Sequence, residues 1–363
     1  MISVRILVLS VCVLACVGCS QRDLPTQPAA PPSVTPQATP ASYDFSSLDK
    51  LLEQVARKHG GCALVVVKGD RVIYRKGFGT HEPDEVIPIA SASKWLSGAV
   101  IMSLVDEDKL SLDDPVSRYL PEFTDDKAAI TIRQLFSHTS GLPPEAGCRN
   151  NKRTTLEACA KQIARVKLNA PPGAEFYYGG VSMHVAGRIA EVVTGKPWND
   201  LFLERIARPL GMGQTDFFAY GPTANPRPAG DGRSSVQEYA RFLQMLLQRG
   251  TFNGQRVLSE AAVAEMHKDQ TGGARIAYTI YERHARLDPD LLSARYGIGM
   301  WREKVDGNGR LLEASSQGAL GFSPWMDTER NLGGVLSVRS SFSLALPDYL
   351  AVKDQIRRIV PRE

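Results

Sequence analysis

The chain has 363 residues, 43% hydrophobic and 23% charged, the balance of a soluble globular protein and not of a disordered, collagen-like or polytopic membrane chain. Its 43 basic and 39 acidic side chains leave a formal charge of +4 without a basic stripe, which argues against nucleic acid as a partner. The length allows one large domain or two modest ones.

Arg5 precedes an apolar run over residues 6–17 that is closed by Gly18 and Cys19. The run is too short to span a bilayer and has the order of a secretory signal. A small residue just before a cysteine resembles the lipobox of bacterial lipoproteins. Residues 1–19 are therefore expected to be a lipoprotein-type signal peptide with Cys19 as the lipidated residue, Cys16 after Ala15 being the alternative. Ser20 offers no aspartate-type inner-membrane retention signal, which favours the outer membrane, periplasmic side. Residues 20–42 then set Pro25, Pro28, Pro31, Pro32, Pro36 and Pro40 among Thr, Gln, Ala and Ser. Such a stretch cannot bury enough surface to offset its ordering entropy and has the composition of an extended tether. The expectation is an exported protein, attached to the cell envelope by an N-terminal lipid anchor, with one folded domain over residues 43–363.

In that domain Ser46 or Ser47 is placed to cap a helix whose Leu48, Leu51, Leu52, Val55 and Ala56 recur at helical spacing until Gly60-Gly61. Residues 62–67 and 72–74, around Lys68-Gly69-Asp70-Arg71, read as a hairpin. Helical periodicity then dominates, over residues 95–105, 181–193 and 239–247. Strand-like segments return at 297–301, 311–313, 322–326 and 334–338, before a closing helix over 347–359. This order predicts an α/β protein of the α+β kind, with an antiparallel sheet from both chain ends, flanking helices and an inserted, mostly helical region. Cys148 and Cys159, eleven positions apart, either form a disulfide in an oxidising compartment or remain two thiols. No metal-site spacing, phosphate loop or dinucleotide fingerprint occurs, so no cofactor is expected.

Ser91-Ala92-Ser93-Lys94 puts a hydroxyl and an amine on one face at a helix start. Serine needs a base to become a nucleophile, and lysine serves as one only when desolvation or nearby positive charge lowers its pKa. Trp95, Leu96, Ala99, Val100, Ile101, Met102, Leu104 and Val105 supply that desolvation. A second match, Ser47-Leu48-Asp49-Lys50, lies on an amphipathic helix and reads as surface.

The segments Ile89-Ala90-Ser91-Ala92-Ser93-Lys94, Leu110-Ser111-Leu112-Asp113-Asp114-Pro115-Val116 and Leu135-Phe136-Ser137-His138-Thr139-Ser140-Gly141-Leu142 are similar to the serine β-lactamase-related family of class C β-lactamases, DD-peptidases and esterases. Phe176-Tyr177-Tyr178, Val193-Thr194-Gly195-Lys196 and Pro209-Leu210-Gly211-Met212 continue the likeness. The resemblance implies a β-lactamase/transpeptidase-like fold, Ser91 as the acylated nucleophile, Lys94 as its partner, and Tyr178 as the phenol of the family's Tyr-x-Asn motif. Two departures stand out. Gly180 occupies the asparagine position, removing a hydrogen-bonding amide. Ser316-Gln317-Gly318-Ala319 stands where the family has Lys-Thr-Gly or His-x-Gly, so Ser316 replaces a carboxylate-binding cation. Gly318 is expected to admit substrate close to the strand, and the Ala319 and Ser91 amides to form the oxyanion hole.

His138 and His184 read as structural, Asp113-Asp114 as a turn, and Trp301 and Trp325 as core or cleft wall. The sequence thus points to a serine hydrolase acting through an acyl-enzyme on an ester or amide, esterase-like before β-lactamase or D-Ala-D-Ala carboxypeptidase. The substrate is expected to be a small molecule or derived from the cell wall. The rival reading is an envelope binding protein that keeps the fold without catalysis. Oligomeric state is left open.

Overall fold

The computed structural model describes residues 43–284 and 286–362. The expected signal peptide, Cys19 and the Pro-rich tether lie outside the described residues. None of the described helices is long and apolar enough to cross a membrane.

Helix α1 (Ser46–His59) buries Leu48, Leu52, Val55 and Ala56 along one stripe, as its periodicity predicts. Its start differs from expectation: Phe45 holds the cap position, and the Ser46 amide donates to Asp44 Oδ1 at 2.9 Å, so neither serine hydroxyl caps the helix. Gly60 ends it in the left-handed region, φ +79°, where a glycine costs least. The hairpin follows as β1 (Gly61–Lys68) and β2 (Arg71–Gly79).

β1 is buried at every position because it has a strand on each side and is covered on both faces. The remaining strands of this sheet are β3 (Arg295–Tyr296), β4 (Trp301–Val305), β5 (Leu311–Ser315), β6 (Phe322–Asp327) and β7 (Leu332–Val338). Their order is β2-β1-β7-β6-β5-β4-β3, with antiparallel neighbours and Leu64 opposite Leu336. The two chain ends thus pair within one antiparallel sheet, β1 beside β7, as expected. One segment departs: residues 297–300 form a turn between β3 and β4. Gly299 adopts φ +82° there and leaves no room for a Cβ, which would lie 2.9 Å from the Lys94 carbonyl carbon.

The inserted region carries α2 (Ser93–Asp106), α3 (Leu156–Ile163), α4 (Val181–Thr194) and α5 (Val236–Leu247). α6 (Phe342–Ile359) closes the chain and begins ahead of Pro347, because buried Phe342, Ala345 and Leu346 hold the first turns against the core. Adjacent glycines of β7 show how the faces are filled. Gly333 packs against Leu243 of α5, whereas Gly334 faces the Trp325 indole, over which Lys353 of α6 lies at 5.9 Å. α2 is buried from Ser93 to Leu104, which leaves it no solvent face.

A buried ionic cluster ties α6 to β4 and β5. Lys353 Nζ lies 2.8 Å from Glu303 and 2.9 Å from Glu313. Burial, the largest influence, would raise the Glu303 pKa, but the Lys353 charge and the hydrogen bonds from Lys353 and Ser315 together outweigh it and hold the carboxylate ionised. Glu303 Oε1 also accepts from Tyr281 (2.9 Å), from Ser315 and from Gln317 Nε2 (3.3 Å), so it clamps the strand end that enters the cleft. Lys353→Met is expected to destabilise the fold by about 3–5 kcal/mol, because it strands a buried carboxylate. Adding Glu303→Gln should recover part of the loss. Urea midpoints of the single and double variants check both; an unchanged midpoint in the single variant would show that the cluster does not stabilise the fold.

Candidate active site

Ala90, at φ +46°, is a non-glycine residue in the left-handed region, a backbone conformation that costs on the order of 1 kcal/mol. It turns the chain into the short 3-10 turn Ala90–Ala92, from which α2 runs on. Three side chains fix that junction. Ser93 Oγ donates to Ala90 O (2.6 Å) and accepts from Gly232 N (2.9 Å); Ser97 Oγ donates to Pro228 O at 2.6 Å; Tyr239 OH donates to Ala92 O at 2.7 Å. Ser91 is thereby presented at the rim of a cleft of about 760 Å³.

Lys94 Nζ lies 2.9 Å from Ser91 Oγ and 3.0 Å from the Ala229 carbonyl. The amine is 3% exposed. Burial, and then the Arg149 charge, bring its pKa from 10.5 down to about 7, so half of the molecules carry a free amine near neutrality. Tyr178 completes the group. Its ring lies 4.7 Å from Lys94 Nζ and stacks on Trp301 at 5.0 Å. Burial pushes the phenol pKa up, against a hydrogen bond to Ser91 that lowers it, so the group stays protonated. The structure therefore brings Ser91, Lys94 and Tyr178 together.

The glycine motif behaves differently from expectation. Ser316 is buried and its hydroxyl is tied to Ser91 O (3.2 Å) and Gly299 O (3.4 Å), so it offers the cleft no side-chain group. At Gly318 the chain itself fills the space: a Cβ would meet the Ile89 carbonyl oxygen and lie 2.8 Å from Phe322 O. The close approach that requires this glycine is that of the Ile89 backbone, not of a substrate. Gln317 and Ala319 do line the cleft. No hydrogen bond among the described residues uses the Ala319 amide, which keeps it available beside Ser91.

Gly180 lines the cleft at the start of α4, and the space beside it is taken by Arg149. A Cβ on Gly180 would lie 2.5 Å from the guanidinium carbon and 3.0 Å from Nη1. Arg149 follows Cys148, which is disulfide-bonded to Cys159 of α3; of the two states left open for these cysteines, the bonded one is present. His138 lies behind Tyr178: at φ +59° its ring is wedged 4.7 Å from both Tyr178 and Tyr296, and burial keeps it neutral. His184 is buried, its pKa brought down to about 3 by burial, and bonded to Asn225 at 2.9 Å. Asp114 accepts from Ser111 N in a turn, as expected. Trp301 and Trp325 are fully buried core residues. Among the described residues no group of acidic, His or Cys side chains is arranged to hold a metal ion.

The family profile described as Beta-lactamase matches residues 48–354, spanning the serine–lysine pair, the tyrosine and all seven strands. The chain belongs to the Beta-lactamase family. Its fold is the β-lactamase/transpeptidase-like one: a solved protein from Bacteroides dorei assigned as a beta-lactamase superposes with TM-score 0.76 at 32% identity, over 88% of this chain and 99% of that one. The hydrolase EstCE1, described as having promiscuous acyltransferase activity, shares the fold at TM-score 0.69 and 21% identity, over 85% of this chain and 98% of that chain. Among curated relatives, D-alanyl-D-alanine-carboxypeptidase/endopeptidase AmpH of Escherichia coli K12 is 32% identical over 174 residues, 43% of this chain and 45% of AmpH. Protein flp of Staphylococcus aureus N315 is 29% identical over 187 residues, 47% of this chain and 38% of flp. The matches thus span less than half of either relative.

Against the pattern of this Beta-lactamase family member, the residue that sequence reasoning missed is Arg149. Its one signal was indirect, a glycine at position 180 where a side chain belongs; nothing in the local sequence says that a guanidinium thirty-one positions earlier fills the gap. Tyr278 was missed for the same reason. It reaches the cleft because residues 275–278 pair in parallel with 175–177, which sets its ring 5.2 Å from that of Tyr177 at a 30° tilt.

Proposed function

We propose that the chain is a serine hydrolase that works through an acyl-enzyme. The observation that carries this reading is the buried Lys94 amine 2.9 Å from Ser91 Oγ, with its pKa lowered to about 7. In its neutral form Lys94 takes the hydroxyl proton as Ser91 attacks a carbonyl carbon. The Ser91 and Ala319 amides hold the oxyanion, and protonated Tyr178 gives its proton to the leaving group and recovers one from the Lys94 ammonium; water then attacks the acyl carbon as Lys94 takes its proton and passes it to Ser91 Oγ, which releases the acid. Gln317 and Gly180 line the binding side of this cleft, whereas Ser316 and Gly318 act behind it by holding the strand against the backbone of Ser91 and Ile89.

Esters are favoured over β-lactams or D-Ala-D-Ala peptides because the position of the family's cation holds Ser316, whose hydroxyl is spent on backbone. Cell-wall-derived acyl compounds are the natural candidates if the protein is exported and lipid-anchored, a location the sequence of residues 1–42 supports. The binding-protein alternative is disfavoured by the chemistry of the site, since a depressed lysine beside a serine has no use in binding alone.

The test is covalent. Residues 20–363 exposed to a fluorophosphonate should gain the mass of one adduct, absent in Ser91→Ala. A folded wild-type protein that takes no adduct would transfer the assignment to a binding protein.

A further inference from the structure

We propose that Arg149 is a substrate-recognition residue of this cleft, and that its free edge takes a carboxylate carried by the substrate on the Gly180 side of the site. The inference rests on the acyl-enzyme reading above and adds a substrate class to it. Arg149 is 8% exposed and lines the same cleft as Ser91, Lys94 and Gly180. Only its Nη1 is engaged, donating to Glu145 Oε2 at 2.5 Å and to Pro144 O at 3.3 Å. Nε is buried without a partner, and no hydrogen bond among the described residues uses Nη2.

A guanidinium with an idle Nε–Nη2 edge is a bidentate carboxylate receptor. The same edge is used elsewhere in this molecule, where Arg233 grips Asp216 at 2.8 and 2.7 Å. An unsatisfied buried donor is costly, which gives an acceptor on the ligand a direct energetic return. The other cations near the cleft are less suited: Arg227 is paired with Asp231 at 2.5 Å, Arg283 is exposed, and Lys94, with its pKa brought down to about 7, is only half charged near neutral pH and is engaged with Ser91 and the Ala229 carbonyl.

The position is built and not incidental. The absence of a side chain at Gly180 is what admits the guanidinium, and the Cys148–Cys159 disulfide secures the adjacent backbone to α3. Glu145 is exposed and pairs only one nitrogen, so it neutralises part of the charge without blocking the free edge. The cleft has therefore lost a cation at Ser316 and gained one at Arg149, moving its anion preference to another wall.

The experiment compares two aryl esters with the same 4-nitrophenyl leaving group and acyl length, the glutarate monoester and the valerate ester. The wild-type protein is expected to favour the glutarate ester in kcat/KM by roughly tenfold or more, mainly through KM. Arg149→Gln should cost the glutarate ester at least about ten times more than it costs the valerate ester. Glu145→Gln, an exposed change that frees more of the guanidinium, should raise the glutarate preference. Equal losses on both esters, or no wild-type preference, would overturn the proposal. A protein that neither labels at Ser91 nor turns over either ester would instead defeat the acyl-enzyme reading. The carboxylate site is then read directly: methyl hydrogen glutarate should raise the Tm of the wild type and leave that of Arg149→Gln unmoved, and an equal response of the two overturns it.

Discussion

Ser91→Ala is expected to lower kcat/KM for an aryl ester by roughly 10⁴-fold or more, with the thermal midpoint shifted by no more than a few degrees. The size follows from the mechanism: without the hydroxyl there is no acyl-enzyme, and only binding and the oxyanion amides remain to assist water. Stability should survive because the serine hydroxyl contacts Lys94 and Tyr178 at a cleft wall, and the turn that carries it is fixed by Ser93, Ser97 and Tyr239. Turnover retained in this variant would show that some other group is the nucleophile. A steady-state assay beside a thermal melt separates lost chemistry from lost folding.

Lys94→Met is the second large effect, and it has opposite signs on activity and stability. Activity should fall by roughly 10³-fold, since the base is gone. Stability should rise. The lysine pKa is about 7 in the folded protein against about 10.4 in an unfolded chain, so between those values the unfolded state binds the extra proton. The wild type therefore gains stability as pH rises from about 7 to 10, and below pH 7 it bears the full penalty of the buried amine. Removing the amine abolishes that slope and stabilises the fold most at or below neutrality, by about 2 kcal/mol once the lost contacts to Ser91 and Ala229 are allowed for. The same pKa predicts that wild-type kcat/KM falls on the acid side of about pH 7, while the raised phenol of Tyr178 imposes no alkaline limb below pH 9. Melts at pH 6 and 9 and a pH–rate profile check these signs; a profile flat down to pH 5 would dismiss Lys94 as the base.

The sign reversal connects the site to the fold. α2 is buried on all sides, and that burial both lowers the lysine pKa and makes the lysine a liability to stability. The protein keeps a destabilising residue because its function uses the strain.

Much of this was legible in the amino-acid sequence because it is local. Helical and alternating periodicities mark where a segment must hide an apolar face, so α1, the β1–β2 hairpin, α4 and α5 appear at their places with small errors at the ends. Ser91 and Lys94 are one helical turn apart, a spacing that the chain itself imposes, and Tyr178 follows from a motif. The boundary errors share one cause. Phe342, Ala345 and Leu346 extend α6 ahead of a proline, and Gly299 breaks the expected strand at 297–301 against the Lys94 backbone; both depend on neighbours remote in sequence.

Tertiary structure alone decided what surrounds the pair. The depth at which Lys94 is buried, the tying of the Ser316 hydroxyl to Ser91 and Gly299 backbone, the filling of the Gly318 gap by Ile89 and the arrival of Arg149 beside Gly180 are contacts between distant segments. Sequence determines which side chains are present and which neighbours share a turn. Only the packed chain decides which charges lose their water and which groups meet, and those two quantities set the pKa of the base and the polarity of the cleft.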